Sequence, residues 1–385
     1  MAYFDYNATT PLSSAGKQAL LEGVESHWAN PSSPYHASAQ VHNALEEARE
    51  SLARRLQKSP EDIVFTGGAT EANNAIIQYF AQRLPAETLL VVSPFEHPSV
   101  LEAADALMGE RVHRLKALSD GRVDFDDLKG ILHTGKVAAL SLMAVNNESG
   151  VVQPWQKAAE LCRQSGVLFH CDASQWFGKC QGDDFSGCDF VIGCAHKFGG
   201  PKGAGFVGLS ANSHGFQSQL GGGQESGRRG GTENVASLLS MVAAMEAAEN
   251  SLEDMIAQSS GRDAFEDELG TVLLDVICIG KTVMRVPNTS FLVVPQFENV
   301  RWVRKLDLRG FQVSTGSACS TGSTHSSTSL EALGYPEDAG RRTIRVSAGP
   351  TITESDWQGL ATAFREVWEE LQNSDNASNT EVISI

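Results

Sequence analysis

Short apolar runs alternate with helical stretches across residues 63–209, and this alternation constrains the fold more than any other feature of the chain. The apolar runs are IVFT, TLLVVS, VAALSLM, VLFHC, DFVIG and GFVGL, and stretches with helical spacing, such as residues 70–83 and 153–164, lie between them. Strands that are apolar throughout are typical of a parallel sheet covered by helices on both faces. The sequence therefore predicts an α/β fold that binds its ligand at the carboxyl ends of the strands.

The chain of 385 residues is too long for one small core, so a large and a smaller domain are expected. We expect the large domain to comprise residues 14–250 and to end in a helical connector at 235–250. Residues 1–13 and 251–372 would form the smaller domain, whose last helix is predicted over 354–371 from its three- and four-residue apolar spacing. Residues 373–385 are polar and are expected to form a loose tail.

Charge and composition exclude several classes of protein. The 47 acidic against 30 basic side chains give a formal net charge of −17, which repels a polyanion and argues against nucleic acid as a partner. No apolar run approaches the roughly 20 residues that a membrane-spanning helix requires. The odd number of cysteines, seven, without a secretory pattern at the start, indicates free thiols in a reducing compartment, and we expect a cytoplasmic protein.

A lysine among glycines follows one of the predicted strands. In DFVIGCAHKFGGPKG, Lys197 comes shortly after the buried run, and most lysines in such turns simply face solvent. The glycines here let the backbone approach a ligand closely, and His196 adds positive character suited to a phosphate. The segment is therefore a candidate binding site.

A carboxylate follows the strand VLFHC. Asp172 is costly to bury at this point unless it is paired with a cation or a strong donor, and Gln175 lies close behind it. A protonated pyridine nitrogen would be such a partner, since an acidic group there keeps the ring an electron sink. The alternative is that Asp172 only caps the next helix.

A third element, FTGGATEANN, follows the strand at 63–66 and begins a helix. The backbone N–H groups of Ala69 and Thr70, with the Thr70 hydroxyl, would form an anion site at that helix N-terminus. A strand, glycines and a helix are a common combination, so this element is weak evidence alone.

These elements occur together with other motifs in an order that resembles the class V aminotransferase family, fold type I pyridoxal-phosphate enzymes, and within it the cysteine desulfurases. The likeness covers nearly the whole chain, in FDYNATTP at 4–11, ANPSS at 29–33, GATEANN at 68–74, EHPSV at 96–100, VNNESGVVQP at 145–154, HCDASQ at 170–175, AHKFGGPKG at 195–203, RRGGTEN at 228–234, RVPNTS at 285–290 and STGSAC at 314–319. The resemblance implies a large domain with a mostly parallel sheet of the seven-stranded type between helices, and a smaller α+β domain.

The resemblance also implies roles for single residues. Lys197 would hold pyridoxal phosphate covalently and move the substrate's Cα proton, because a desolvated lysine near cations can have its pKa lowered into the working range. For the ring, the resemblance implies Asp172 at the pyridinium nitrogen, Gln175 at the phenolic oxygen and His97 stacked on the face, where it would act in catalysis. For the phosphate it implies Ala69, Thr70, Cys194, His196 and, from a second copy, Thr232, so that a homodimer is expected. Asn147 and Arg345 would bind the substrate carboxylate, for which a forked guanidinium is suited.

Cys319 would be the sulfur-accepting thiol. It lies in STGSACSTGSTHSSTS, a run of small polar residues that predicts a mobile loop and an exposed thiol, whereas Cys162 and Cys278 are expected to be buried. In the implied reaction L-cysteine loses its sulfur to this thiol, which becomes a persulfide, and alanine is released. A protein is expected to accept the sulfur, and iron–sulfur assembly, tRNA thiolation, DNA phosphorothioation and a biosynthetic pathway all remain open as its use.

One departure from the family pattern, one excluded metal site and two alternative functions accompany this interpretation. Cys194 stands where the family usually has a serine, and a thiol is a weaker donor to a phosphate. Cys188, Cys194 and His196 do not make a zinc pattern, because no CxxC pair exists, and no metal is expected. A selenocysteine lyase, or another β-elimination enzyme, would use the same lysine and carboxylate grip. A non-catalytic scaffold for a sulfur-acceptor protein is the alternative of a different class.

Overall fold

The computed structural model describes residues 1–182, 184–316 and 327–381, of which 376–381 are described by their backbone alone. The strands are β1 (Ala2–Tyr3), β2 (Ile63–Thr66), β3 (Leu89–Val92), β4 (Val112–Arg114), β5 (Val137–Ser141), β6 (Leu168–Asp172), β7 (Phe190–Cys194), β8 (Gly205–Leu209), β9 (Ile277–Cys278), β10 (Thr289–Val293), β11 (Phe311–Gln312) and β12 (Thr343–Ser347). The helices are α1 (Ser14–Ser26), α2 (His36–Leu56), α3 (Ala69–Arg83), α4 (Pro98–Met108), α5 (Phe125–Leu132), α6 (Trp155–Ser165), α7 (Val235–Asn250), α8 (Leu252–Val272), α9 (Asn299–Leu308), α10 (Thr328–Ala332), α11 (Glu337–Gly340) and α12 (Glu354–Glu381).

Seven strands form one sheet in the order β2-β8-β7-β6-β5-β3-β4. β8 is antiparallel to both of its neighbours, and the other strands run in one direction. The prediction of a mostly parallel sheet of seven strands is confirmed. Only β4 had no apolar run to reveal it, because this short edge strand carries His113 and Arg114.

Helices cover both faces of this sheet. Successive residues of β7 point to opposite sides, so that Val191 packs in one core with Met241 of α7, while Ile192 packs in the other with Phe80 of α3. Because both faces are buried, the strands carry no polar alternation. This explains why the strands are continuous apolar runs in the sequence.

The second part of the molecule is built around the three-stranded antiparallel sheet β12-β10-β9. Its core contains Trp302, Trp357 and Phe364, and Phe4 from the N-terminal segment packs with them. β1 pairs in parallel with β11, which ties the first residues to this part of the chain. The division into residues 14–250 against 1–13 and 251–372 remains a prediction, with which these contacts agree.

The last helix is longer than the sequence pattern indicates. We predict an end at Leu371, but α12 continues to Glu381, so the first residues of the segment expected to be loose are helical. Leu371 is buried, and residues 372–375, which follow it in the helix, are exposed. Apolar spacing therefore could not reveal the extension. No helix in the described ranges is long and apolar enough to cross a membrane.

Candidate active site

The carboxyl ends of β2, β3, β5, β6 and β7 meet at one edge of the large sheet. The segments that leave these ends carry most of the predicted site residues, namely Ala69 and Thr70 after β2, His97 after β3, Asn147 after β5, Asp172 and Gln175 at and after β6, and Cys194, His196 and Lys197 at and after β7. The topology thus brings together residues that are far apart in the chain.

Asp172 is the last residue of β6 and is 6% exposed. Its Oδ1 accepts a hydrogen bond from the backbone N–H of Ser174 at 2.9 Å, and its Oδ2 accepts one from the side-chain amide of Asn73 at 2.9 Å. A carboxylate that holds only neutral donors in a buried position is suited to a cationic ligand atom. Asn73 belongs to the GATEANN motif, but nothing in its spacing marked it as a partner of Asp172.

Lys197 lies in a single 3-10 turn, Ala195–Lys197, directly after β7. Its Nζ donates to the backbone oxygens of Asn7 at 2.7 Å and Ala8 at 2.9 Å. The glycines around it permit close packing, since a Cβ on Gly205 would lie 2.7 Å from the Cα of Gly68. The lysine is therefore held at the end of the sheet by backbone groups from the N-terminal segment.

Asn7 and Lys179 are site residues that sequence reasoning missed. The backbone oxygen of Asn7 accepts hydrogen bonds from Lys197 and, at 2.9 Å, from Nε2 of Gln175. Its side-chain Oδ1 accepts one from Nζ of Lys179 at 2.9 Å, and Lys179 also donates to Oε1 of Gln175. Asn7 lies in the FDYNATTP motif, which could have indicated it, whereas the lysine in WFGK looks like an ordinary surface residue.

His97 caps the N-terminus of α4, and Pro98 begins the helix. Its Nδ1 accepts from the backbone N–H of Ser99 at 3.1 Å and lies 2.8 Å from the Ser99 hydroxyl, which also bonds Asn73 at 3.0 Å. Burial lowers the pKa of His97, an effect that the Asp172 carboxylate opposes and Lys197 strengthens. His97, Asp172 and Lys197 are therefore close enough to interact electrostatically.

Ala69 and Thr70, which are predicted to bind a phosphate, are the first two residues of α3. Gly68 precedes the helix with a φ of +140°, and Thr70 lies exposed in the first turn. Cys194 is buried, burial raises its pKa, and its sulfur accepts a hydrogen bond from the Ala69 N–H. The ring of His196 lies 3.2 Å from the Thr9 hydroxyl, and burial, followed by repulsion from Lys197, lowers its pKa to about 4. The imidazole is thus neutral near pH 7.

Arg345 comes from β12 and is 2% exposed. One terminal nitrogen donates to Asp5 at 2.8 Å and the other donates to the backbone oxygen of Asn147 at 3.2 Å. The structure therefore places the two predicted carboxylate-binding residues in contact, although through the backbone of Asn147. Asn147 itself is half-buried.

Cys319 lies in residues 317–326, outside the described part of the chain, so its predicted exposure is not described either. Ser314, shortly before this segment, exchanges backbone hydrogen bonds with Arg345 at 2.8 and 3.0 Å. Ser327, directly after it, caps α10 and donates to Glu148 at 2.6 Å. Both ends of the segment are thus anchored beside the residues of the candidate site. Of the other two thiols discussed above, Cys162 is buried and Cys278 is half-buried.

Thr232 is exposed and lies shortly before α7. The loop that leads to it is fixed by Glu225, whose carboxylate pairs with Arg49 at 2.7 and 2.8 Å and accepts from the Phe65 N–H at 2.8 Å. Arg229 further along pairs with Glu71 in the first turn of α3 at 3.0 Å. The loop is therefore tied to the strand and helix that form the predicted phosphate site.

The donor set fits pyridoxal phosphate. Asp172 offers a buried carboxylate for a protonated ring nitrogen, and among the described residues no atom lies within 4 Å of where a Cβ on Gly68 would be, which leaves room at the start of α3. The buried Nε of Arg345 has no hydrogen-bond acceptor within the described ranges, as expected for a group that waits for an anionic ligand. Across those same ranges no group of three or more His, Cys, Asp or Glu residues could hold a metal ion.

Comparison with known proteins identifies relatives along the whole chain. Residues 2–360 match the family described as aminotransferase class-V. The chain is 34% identical over 375 residues to the cysteine desulfurase IscS of Dictyoglomus turgidum, covering 96% of this chain and 95% of the relative. Among solved structures it resembles the NifS-like protein from Rickettsia africae, with a TM-score of 0.86, 26% identity and coverage of 96% and 99%. It also resembles SspA solved in complex with cysteine, with a TM-score of 0.76, 28% identity and coverage of 92% and 100%.

The family match spans well over half of the chain, and the curated relative exceeds 30% identity over nearly all of it. Enzymes of this family depend on pyridoxal phosphate. The order of motifs, the seven-stranded sheet and the relatives all indicate the same assignment. The chain belongs to the class V aminotransferase family and, within it, to the cysteine desulfurases.

Proposed function

We propose that this chain takes sulfur from L-cysteine with pyridoxal phosphate held at Lys197, releases L-alanine and retains the sulfur as a persulfide on Cys319. The observation that carries the proposal is the arrangement of Lys197 and Asp172 at the ends of the adjacent strands β7 and β6, with Arg345 on the same site. A cationic amine, a buried carboxylate and a guanidinium at one sheet edge are the groups needed to hold the cofactor and an amino acid. The relative SspA, solved in complex with cysteine, supports this choice of substrate.

Several residues of this chain would act on the cofactor or the substrate, each at a different atom. When bound, the pyridoxal ring would withdraw electrons from the substrate's Cα and so weaken the C–H bond there and, after loss of that proton, the C–S bond at Cβ. Lys197 would accept the Cα proton at Nζ and deliver it again, since its side chain already lies at the strand end. Asp172 would keep the ring nitrogen protonated, and Gln175 would face the phenolic oxygen. His97 would lie against the ring, held by Ser99.

In the transfer step, sulfur passes from the thiol of the substrate to the thiol of Cys319. The Cys319 sulfur attacks the substrate sulfur, the Cβ–S bond breaks and an S–S bond forms. Cβ and Cα of the substrate each take up a proton, so that L-alanine leaves and no added oxidant is required. Arg345 would orient the substrate carboxylate for this step. Ser314 and Ser327, which flank the segment that carries Cys319, lie beside the site, and we propose that the Cys319 thiol reaches the substrate there.

Residues predicted to bind the phosphate would complete the cofactor site. We propose that Ala69, Thr70, Cys194 and His196 hold the phosphate, because α3 begins there with backbone N–H groups that have no partner within the helix. The neutral imidazole of His196 can donate from one ring nitrogen.

The experiment that tests cofactor attachment at Lys197 compares the wild type with Lys197→Ala. With pyridoxal phosphate and borohydride, mass spectrometry should find the reduced adduct on the wild-type peptide that contains Lys197 and none on the variant. Lys281→Ala is the matched control, because Lys281 lies on the surface and pairs with Asp267 at 2.8 Å. Absence of the adduct at Lys197 in the wild type would refute the proposal.

The experiment that tests sulfur transfer to Cys319 uses Cys319→Ala, with Cys278→Ala in β9 as control. The first variant should still bind the cofactor but lose persulfide formation and most alanine release, whereas the control should retain both. Persulfide formation by Cys319→Ala would show that another thiol accepts the sulfur. Comparing L-cysteine with selenocysteine in the same assay tests the lyase alternative, and alanine release by the wild type excludes the scaffold.

We further propose a homodimer and a protein sulfur acceptor. Trp28 and Tyr35 are large apolar side chains that are 74% and 54% exposed, and Ala29, next to Trp28 in the chain, packs with Val235 at the start of α7, shortly after Thr232. A second copy that covered this surface would bring Thr232 towards the other copy's cofactor. Trp28→Glu should yield a monomer by light scattering, with Val300→Glu on α9 as control; a dimeric Trp28→Glu would count against the surface.

A further inference from the structure

Lys179 is a second lysine at the candidate site and is more deeply buried than Lys197, at 2% exposure. It lies in the turn that follows β6, four residues after Gln175. Its Nζ donates to Oδ1 of Asn7 at 2.9 Å and to Oε1 of Gln175. A buried ammonium is costly, so its presence here calls for a role that outweighs this cost.

The contacts of Lys179 fix the orientation of two amide groups. A protonated lysine only donates, so each amide must turn its oxygen towards Nζ. Gln175 consequently directs Nε2 to the backbone oxygen of Asn7, which also binds Lys197. Asn7 consequently directs Nδ2 to Thr289 at 2.9 Å and to the backbone of Asn147 at 3.2 Å. Rotation of either amide by half a turn would place an N–H against the ammonium.

The charge of Lys179 also acts on Lys197. Burial and repulsion from Lys197 lower the pKa of Lys179 to about 7, and Arg345 adds to the repulsion while the thiols of Cys180 and Cys194 oppose it. Repulsion between two cations is mutual, so a protonated Lys179 disfavours a second positive charge at Lys197. When neutral, the amine keeps two N–H groups, equal in number to the acceptors it faces.

We propose that Lys179 is a positioning residue, which orients Gln175 and Asn7 towards the cofactor and, while protonated, disfavours a positive charge at Lys197. The inference rests on the proposed function, because it assigns Gln175 and Lys197 to pyridoxal phosphate. Lys179 acts through these residues and does not touch the reacting atoms. Removal of its side chain should therefore alter the cofactor's binding and spectrum, and not only the stability of the fold.

The test compares the wild type with Lys179→Met and Lys179→Arg after loading with pyridoxal phosphate. The dissociation constant of the cofactor and the pH midpoint of its visible absorbance are measured. Lys179→Met should weaken binding about tenfold, because two buried amide oxygens lose their donor. It should also raise the midpoint, because the positive charge that Lys179 carries below about pH 7 is gone. Lys179→Arg should restore most of both values.

Lys58→Met is the matched control, since Lys58 is a partly buried lysine that donates to the Cys188 backbone oxygen at 2.8 Å and whose pKa burial lowers. Lys58→Met should lower the melting temperature and leave the pH midpoint unchanged.

If Lys179→Met lowers stability without changing the dissociation constant or the pH midpoint, the proposal is wrong. If that variant does not fold, Lys179→Gln, which keeps N–H donors but no charge, should still raise the midpoint, and an unmoved midpoint is then the refuting result. A wild type that forms no adduct at Lys197 would instead refute the proposed function.

Discussion

Arg345 and Asp5 form an ion pair of 2.8 Å although they lie 340 positions apart in the chain. The pair connects β12 with the segment that also supplies Asn7 to Lys197. Burial raises the pKa of Asp5, and Arg345 opposes that rise. The guanidinium is thus held by Asp5 on one terminal nitrogen and by the Asn147 backbone on the other, which leaves Nε for a ligand.

Arg345→Lys should weaken substrate binding more than it slows turnover. Arg345→Lys keeps the charge but loses the planar guanidinium and its Nε donor, so KM for L-cysteine should rise about tenfold while kcat falls less. Arg342→Lys is the control, because Arg342 pairs with Asp338 at the surface and should leave both values unchanged. Steady-state alanine release gives both constants. An unaltered KM in Arg345→Lys would remove this residue from the substrate site.

Neutralisation of Asp172 should reduce catalysis strongly. Asp172→Asn keeps the shape but removes the carboxylate that would hold the ring nitrogen protonated, so kcat should fall on the order of 100-fold. Asp189→Asn is a matched control, since Asp189 is another buried carboxylate and accepts from the Phe169 N–H and the Ser210 hydroxyl. That change should lower stability and spare kcat in the folded protein. Equal losses in both variants would indicate a structural role for Asp172.

The main sheet of the fold could be predicted because burial on both faces leaves a direct trace in the sequence. Strands such as Phe190–Cys194 are apolar throughout, and the residues after them carry the chemistry. The edge strand Val112–Arg114 and the extension of α12 beyond Leu371 left no such trace, because no residue of this short strand is fully buried and residues 372–375 are exposed. Those elements depend on pairing and helical propensity, which apolar periodicity does not report.

The candidate site was predictable only where a residue type was unusual for its position. Asp172 after a buried strand and Lys197 among glycines were unusual in this sense, and the family resemblance added the remaining roles. Asn7 and Lys179 are ordinary residues by type and become important only through contacts across long sequence distances, Asn7 with Gln175 over 168 positions and with Lys179 over 172. The role of Lys179 is therefore readable from the structure alone, whereas the FDYNATTP motif could have indicated Asn7.

Replacement of the unusual thiol at position 194 should tighten cofactor binding. A hydroxyl is a stronger donor than a thiol, so Cys194→Ser should lower the dissociation constant of pyridoxal phosphate by about threefold to tenfold. The control is Cys162→Ser, because Cys162 is fully buried in α6 and its pKa is raised to about 12 by burial. That variant should lose stability without a gain in affinity. Fluorescence titration measures the affinity, and an unchanged value in Cys194→Ser would separate this residue from the phosphate.

Acid should destabilise the fold through a buried histidine beside the site. Burial lowers the pKa of His170 from 6.5 to about 4, although Asp172 opposes this, and its Nδ1 lies 2.9 Å from the Ser141 hydroxyl. The folded state keeps the imidazole neutral while the unfolded chain takes up a proton, so the stability that this group contributes is present above pH 6.5 and is lost as the pH falls towards 4. A shift of this size corresponds to roughly 3 kcal/mol.

His170→Gln should therefore make the free energy of unfolding of the cofactor-free protein depend less on pH between 6.5 and 4. Part of the dependence should remain in this variant, because burial also lowers the pKa of His196 to about 4. His133→Gln, at an exposed position, should follow the wild type. Denaturant unfolding across this pH range measures the difference, and parallel curves for the wild type and His170→Gln would show that His170 is not the group responsible.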